Sequence, residues 1–460
     1  MTRLNKFAFF LICTIVVFTT AAYGTVHQPT LVLFYVFVTA LLILWAADSL
    51  TSGEVRFSRS VLQIPLFALA VYGFVQCIPL GTYAESAGIS GIPRTISMEP
   101  FATQLTALHL LALGIFFSVT LVYLDSAQRL RRMVTFIIVF GFIYAFFAIL
   151  QSVLSPTRIY GIYQSQFGVP FGSFVNRHNF AAFIEMAISI PLGLLFVGAV
   201  KRDKRLLYVI AVVLMGSALL LSLSRGGLVS LIAEIILLII LTTGSSGGKK
   251  IVLKVALSFS LIAAAVGGAI FVGGDTSLTR FAESAASQDI TSNRIHIWNV
   301  TLKVIAANMP FGTGLGAYTQ AYTAFDTLSG IEMVEQSHND YLQIVSDAGL
   351  IGLLIGGLFL FWFFREGIRN SRRQNTFRRG VAVGAFAGCF AVLVHSLFDF
   401  VLHISALSVL FLTLLALLVA SGRRFEDDIK EFDKPMSKRR RSASVTSIGG
   451  KKHEQVEQTA

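Results

Sequence analysis

Charge is scarce in this sequence. Asp, Glu, Lys and Arg make up only 13% of its 460 residues, about half the ~25% usual for soluble domains. A single large water-soluble domain is therefore excluded. Cysteine is scarcer still, and Cys13, Cys77 and Cys389 all fall within apolar stretches. Such placement gives no sign of a disulfide framework, and no CxxC or Cys/His spacing suggests a metal site.

What the chain has instead is apolar length. Hydrophobic residues account for 55%, 40 of the residues are Phe, and mean hydropathy is +0.72. Runs long enough to cross about 30 Å of hydrocarbon recur at 7–24, 29–48, 61–80, 104–124, 133–154, 179–200, 206–223, 226–243, 251–273, 344–364, 380–402 and 403–420. These runs predict an all-α polytopic membrane protein of about 12 transmembrane helices. The first follows Arg3 and Lys6 and exceeds the usual length of a signal-peptide core, so it reads as a span.

The basic residues orient these spans. With the N-terminus cytoplasmic, 30 of the 37 Lys and Arg fall on the inside, and Arg94, Arg158, Arg177, Arg225, Arg280, Arg294 and Lys303 remain outside. That asymmetry predicts both termini in the cytoplasm. It also accounts for the net charge of +12 without nucleic acid. Residues 421–460, with "KRRR" at 438–441, read as a solvated, disordered basic tail near anionic lipid. Three regions follow: N-terminal helices over 1–150, a membrane domain over 151–420, and the tail.

The outer segment 274–343 is too long for a mere connection. Ile295, Trp298, Leu302 and Ile305 recur at helical spacing, which predicts an amphipathic helix over 293–307 lying on the membrane surface. "MPFGTGLGAY" follows it. No strand precedes that glycine run, so it reads as a tight turn that lets backbone approach its neighbours rather than as a nucleotide loop.

Polar residues gather at the outer ends of spans. "EQSHNDYLQIVSDAGLIG" at 335–352 crowds Glu335, His338, Asn339, Asp340 and Asp347 ahead of an apolar run. Asn176, Arg177, His178 and Asn179 open the sixth span, and Arg225 lies between the seventh and eighth. His395, Asp399 and His403 are spaced four apart, as on one helical face at the end of the eleventh span. Either they line a functional cavity, as costly intramembrane ionisable groups usually do, or His395 and Asp399 pair to tie helices together. Glu185 and Glu234 are lone acids for which a structural or cavity hydrogen bond is expected.

Taken in order, "GSFVNRHNFAAFIE", "LSLSRGG", "NRIHIW…MPFGTGLGAY" and "SHNDYLQIVSDAGLIGLL" resemble the O-antigen ligase and Wzy-type polymerase superfamily over roughly residues 172–360. His338 ahead of Gly349-Leu-Ile-Gly352 is similar to the ligase pattern of a His spaced before GxxG. The resemblance implies a GT-C-like fold of about twelve helices with a large periplasmic loop. It also implies a glycan donor carried on undecaprenyl diphosphate, and metal-independent transfer with no cofactor. The family's essential arginines map onto Arg225 and Arg294, with Arg280 as a further match, and its histidine maps onto His338. Arg177 and His178 depart from the family pattern, and no role carries over to them.

Such a transfer breaks an anomeric C–O bond with diphosphate as the leaving group. Guanidinium forks at Arg225, Arg294 and Arg280 suit the phosphate oxygens, and His338 suits the acceptor proton. These are the candidate catalytic and diphosphate-binding residues; Asn176, Arg177, Asn179, Asn339, Asp340, His395 and Asp399 complete a candidate pocket. A metal held by His338, Asp340 and Asp347 is the competing chemistry. The expected partners are the lipid-linked donor, a lipid A core or glycan acceptor, and membrane lipids. Polymerase, protein glycosylation and secondary transport remain as alternative functions, although the halves of the chain lack the mutual echo of a transporter.

Overall fold

The computed structural model describes residues 3–83, 90–165, 168–243, 248–286, 292–328, 333–423 and 425, with backbone alone for 248–250, 272–286 and 292–293. The helices in order are α1 (Arg3–Ala21), α2 (Gln28–Ser52), α3 (Ile64–Gln76), α4 (Pro100–Tyr123), α5 (Ala127–Leu154), α6 (Arg177–Val197) and α7 (Arg205–Leu221). Then follow α8 (Arg225–Thr243), α9 (Gly248–Ala286), α10 (Ser292–Asn308), α11 (Tyr318–Thr323), α12 (Asp340–Ser371), α13 (Thr376–His395) and α14 (Ser405–Ser421). Two-residue strands at Arg158–Ile159 and Tyr163–Gln164 form the hairpin between α5 and α6. The protein is an all-α polytopic membrane protein.

Each of the twelve apolar runs falls mainly on a separate helix, the run at 380–402 passing beyond the end of α13 at His395, and among the described residues ten helices are long and apolar enough to cross a membrane. The runs expected at 61–80 and 403–420 are the shorter two, Val61–Gln76 and Ser405–Ser421. For α14 the reason is burial: every residue from Ser405 to Ser421 is enclosed by protein. A helix that is apolar all round and surrounded by other helices does not need the span a lipid-facing helix requires.

At the centre α6 runs against α13. A Cβ on Gly193 would stand 2.5 Å from the backbone of Gly384, and one on Gly384 would stand 2.6 Å from the Ser189 carbonyl oxygen. Gly380, Gly384 and Gly388 recur every four residues, so one face of α13 is bare backbone. In lipid, where apolar burial drives no association between helices, such stripes permit the close van der Waals packing that does. The contact fixes the start of α6 against the end of α13.

Helix α12 is broken at Gly349 (φ 59°, ψ −143°), a conformation comfortable only for glycine. The "FGTGLG" turn seats in the break. Thr313 and Gly314 N–H groups donate to the carbonyls of Ser346 and Asp347 (2.9 and 3.0 Å), and Leu350 N–H donates to Pro310 (2.9 Å). Gln76 of α3 donates to the Phe311 and Asp347 carbonyls. The expected tight turn is present, and its role is to satisfy carbonyls that the break exposes. Asp347 belongs to the same clamp: one carboxylate oxygen accepts from Gly316 N–H and the other from Gln343.

The amphipathic helix expected over 293–307 forms as α10, and a second apolar face of it meets α11. Val300 and Val304 pack with Tyr318, Ala321 and Tyr322 of α11, while Ile295 and Leu302 face outward. Trp298 donates its indole N–H to the Ser337 carbonyl (3.0 Å). His296 and Asp326 pair at 2.9 Å.

At the opposite end of the bundle, arginines read from sequence as orientation signals also bind elements together. Arg129 is buried, pairing with Asp125 at 3.5 Å and donating to the Tyr123 carbonyl and to Asn5. Arg423 donates to the Leu121 carbonyl and to Ser58. The tail beyond Phe425 lies outside the described residues.

Candidate functional site

Four chain segments meet at the end of the bundle that carries α10 and α11. The first is the start of α6. Asn176 caps it, its side-chain oxygen accepting the His178 N–H at 2.9 Å, and so fixes Arg177 and His178 in the first turn. Asn179 is buried just behind them.

The second segment is the start of α8. His178 Nδ1 lies 2.9 Å from Ser224 Oγ, and Ser224 Oγ accepts the Gly227 N–H. One serine thus joins the beginnings of α6 and α8. Arg177 and Arg225 are the first residues of their helices and repel one another electrostatically.

His338 and the start of α12 form the third. Asn339 caps α12 through the N–H groups of Tyr341 and Leu342, both at 3.0 Å, and donates to the Leu397 carbonyl. His338 has φ 51°, a left-handed conformation uncommon outside glycine. Among the described residues the other non-glycine positions with positive φ are Tyr23, Thr25, Tyr160 and Leu223, and all lie at this same end. Leu223 directly precedes Ser224, so backbone strain flanks both α8 and α12 where they meet the site.

The fourth segment, 396–404, corrects a sequence expectation. α13 ends at His395, so His395, Asp399 and His403 do not share a helical face. Phe398 and Asp399 N–H groups both turn back to the His395 carbonyl, and the Asp399 carboxylate accepts the Phe400 N–H. The three side chains consequently part. Asp399 faces His338, with Oδ1 and Nδ1 3.2 Å apart. His403 pairs with Asp340 at 2.9 Å. His395 points inward to Glu185 of α6, at 3.1 and 3.3 Å from its two carboxylate oxygens. The expected alternative of a His395–Asp399 pair is not formed.

The electrostatics tie the cluster together. The field at His178 comes from Asp399, Arg177, His395 and Arg294, and that at His395 from Glu185, Asp399 and Arg294. Burial opposes ionisation of Asp399, but the His338 hydrogen bond and the charges of His178, His338 and His395 outweigh it and hold the carboxyl well below the ordinary range. For His403 burial again opposes the charged form, and the hydrogen bond and charge of Asp340, with the charge of Asp347, outweigh it and raise its pKa.

The structure therefore gathers His338, Arg225, Arg294, Arg177, His395 and Asp399 in one electrostatic neighbourhood, with Asn176, Asn179 and Asn339 building the backbone around it. Asp340 sits beside it on His403 and Ser396. The Arg280 side chain lies outside the described residues. His338, Asp340 and Asp347, which a metal reading would combine, each turn to a different partner.

Sequence reasoning assigned no role to His178 and overlooked its bond to Ser224; the signal was a histidine two residues after a capping asparagine. It also left Glu185 without a partner. Glu234, the other lone acid, is fully buried, and neither of its carboxylate oxygens has a hydrogen-bond partner among the described residues.

Residues 210–356, from within α7 to beyond the break in α12, match the Wzy_C family, described as O-antigen ligase. A comparison with curated proteins found no match. The matched region, about a third of the chain, contains Arg225, Arg294 and His338, and over it the chain is similar to the O-antigen ligase family.

Proposed function

We propose that this protein is an O-antigen ligase-type glycosyltransferase that moves a glycan from undecaprenyl diphosphate to an acceptor hydroxyl, with lipid A core as the favoured acceptor. One observation carries the reading. Arg177 and Arg225 occupy the first positions of α6 and α8, where the helix dipole already disfavours a cation, and they also repel each other. A dianionic diphosphate suits both helix starts at once, and Arg294 adds a third cation to the same field. Helix starts and guanidinium forks together form a site for phosphate oxygens.

His338 supplies the proton chemistry. Its Nδ1 is engaged by Asp399, which orients the ring so that Nε2 takes the proton from the acceptor hydroxyl. The acceptor oxygen forms a bond to the anomeric carbon as the bond to the diphosphate oxygen breaks. The leaving electron pair stays on undecaprenyl diphosphate, against the arginines. No metal takes part in this scheme. The skew of basic residues toward the opposite end supports a cytoplasmic-membrane protein with both termini in the cytoplasm and this site on the periplasmic side.

The test is reconstitution of purified protein with an undecaprenyl-diphosphate glycan and lipid A core in excess EDTA, beside gel analysis of lipopolysaccharide, capsule and glycoprotein from a deletion strain. The reading expects core-linked glycan in the first and loss of long chains from lipid A core alone in the second. Capped single repeats would instead assign a polymerase. Glycoprotein loss would assign a protein acceptor, and a requirement for a divalent ion would overturn the metal-free scheme.

A further inference from the structure

At the end of the bundle opposite the site, a cavity of about 500 Å³ is lined by Arg56, Arg59, Arg365, Arg369 and Arg423, with Glu366 as the one acid among its lining residues. Cations at this end are ordinary, because orientation alone favours them. Orientation, however, depends on how many cations lie in the flanking loops and not on where their side chains point. Here residues from three separate parts of the chain, 56–59, 365–369 and 423, converge on one space.

The cavity walls are of two kinds. On one side Arg365 stacks over the Trp362 ring at 4.8 Å, an amphipathic pair of the kind that sits at the level of lipid head groups. On the other, Ser58–Val61 continue into a second groove of about 600 Å³ along α3, lined by Ile64, Phe67 and Val71. Ile64 and Val71 are exposed on a short apolar helix. A basic chamber therefore opens onto an apolar groove.

We propose that this cavity is a binding site for an anionic phospholipid, with its phosphate among the arginines and an acyl chain along α3. Basic pockets between transmembrane helices have the chemistry for phosphate-bearing head groups, and a free phosphate would leave the α3 groove unused. Arg59, Arg365 and Arg369 are exposed; Arg369 pairs with Glu366, whereas Arg59 makes no ion pair among the described residues, so Arg59 and Arg365 are the two most available to a ligand. The site is independent of the transfer chemistry at the other end.

The experiment delivers phosphatidylglycerol, cardiolipin or phosphatidylcholine from mixed micelles to the full-length protein and counts retained lipids by native mass spectrometry, with inorganic phosphate as competitor. Retention of the anionic lipids over phosphatidylcholine is expected. Arg59→Gln and Arg365→Gln should each weaken it about fivefold, since each basic residue near an anionic surface contributes to that extent. Both positions are exposed, so folding should survive, and Arg59→Lys should restore most of the loss. A Phe67→Asp variant should weaken phospholipid retention without changing phosphate competition. Equal retention of phosphatidylcholine, or displacement by phosphate at the concentration of the lipid, would overturn the proposal. So would a large gain in lipid retention after neutralising Glu426, Asp427 and Asp428, which would make this chain's own acidic stretch the occupant.

Discussion

The Asp399 carboxylate lies 3.2 Å from Nδ1 of His338 and joins the loop after α13 to the residue before the α12 cap. Its folded-state pKa is depressed, so the stabilisation it provides is fully present above the ordinary carboxylate pKa of about 4 and is lost only as pH falls below that. Asp399 therefore stays ionised across a neutral assay range. Asp399→Asn should leave donor binding near wild type and reduce turnover about a hundredfold, the scale of a positioned base losing its orientation. Parallel measurement of donor binding and turnover decides it; an equal loss of both would make Asp399 a binding residue.

Arg225→Lys and Arg294→Lys keep the charge but lose the fork. Two parallel hydrogen bonds to phosphate become one, so each variant should lose about tenfold or more in turnover together with donor affinity. Near wild-type turnover in both would show that charge alone suffices.

Gly226 provides a subtler probe of the same arginine. A Cβ there would stand 2.7 Å from His395 Nε2, and that imidazole is held by buried Glu185. Gly226→Ala must shift the start of α8 and carry Arg225 with it, so turnover should fall although the arginine itself is unchanged. Pairing it with His395→Ala should recover part of the loss, because the two changes act on one contact. Identical turnover of Gly226→Ala and wild type would mean that the start of α8 tolerates displacement.

The Asp340–His403 pair has the opposite pH sense from Asp399. The folded pKa of His403 is raised, so its stabilisation is complete below the unfolded value of about 6.5 and is lost as pH rises through the folded value. Asp340 and Asp347 favour its charge, and His109 opposes it. The melting-temperature gap between wild type and Asp340→Asn should therefore be wider at about pH 6 than at about pH 9. A gap that grows with pH would reverse the assignment.

Gly349→Ala tests the clamp. The new Cβ would meet the Pro310 carbonyl oxygen at 2.2 Å, on a backbone conformation that alanine does not tolerate. The cost should be about 3 kcal/mol or more, read as a lower melting temperature in detergent. Wild-type stability would show that the break closes into continuous helix.

Most of the helices were legible because hydrocarbon demands long apolar runs and this chain supplies them. α14 was legible within two residues, its burial on all sides making it as apolar as a lipid-crossing helix, whereas the run at 380–402 hid the end of α13 at His395. His338 and Arg225 stood out as ionisable groups in an apolar chain. Their partners did not, because Asp399 is 61 residues from His338 and Glu185 is 210 residues from His395. The four-residue spacing of His395, Asp399 and His403 suggested a continuous helix, but α13 stops where its end must reach both Glu185 and the start of α12. The apolar spacing in α10 located the helix but not its second apolar face, since Val300 and Val304 answer to α11, which no local pattern announces.

Breaking α12 at Gly349 also separates two directions that one straight helix would have to share. The long piece after the break must tilt to match whatever bilayer thickness surrounds it. The short piece before it takes its direction from the seated 310–316 turn, while Trp298 ties Ser337 to α10. The direction of the short piece, and with it the position of His338 relative to α10, is thus set by contacts within the protein rather than by the direction of the long piece.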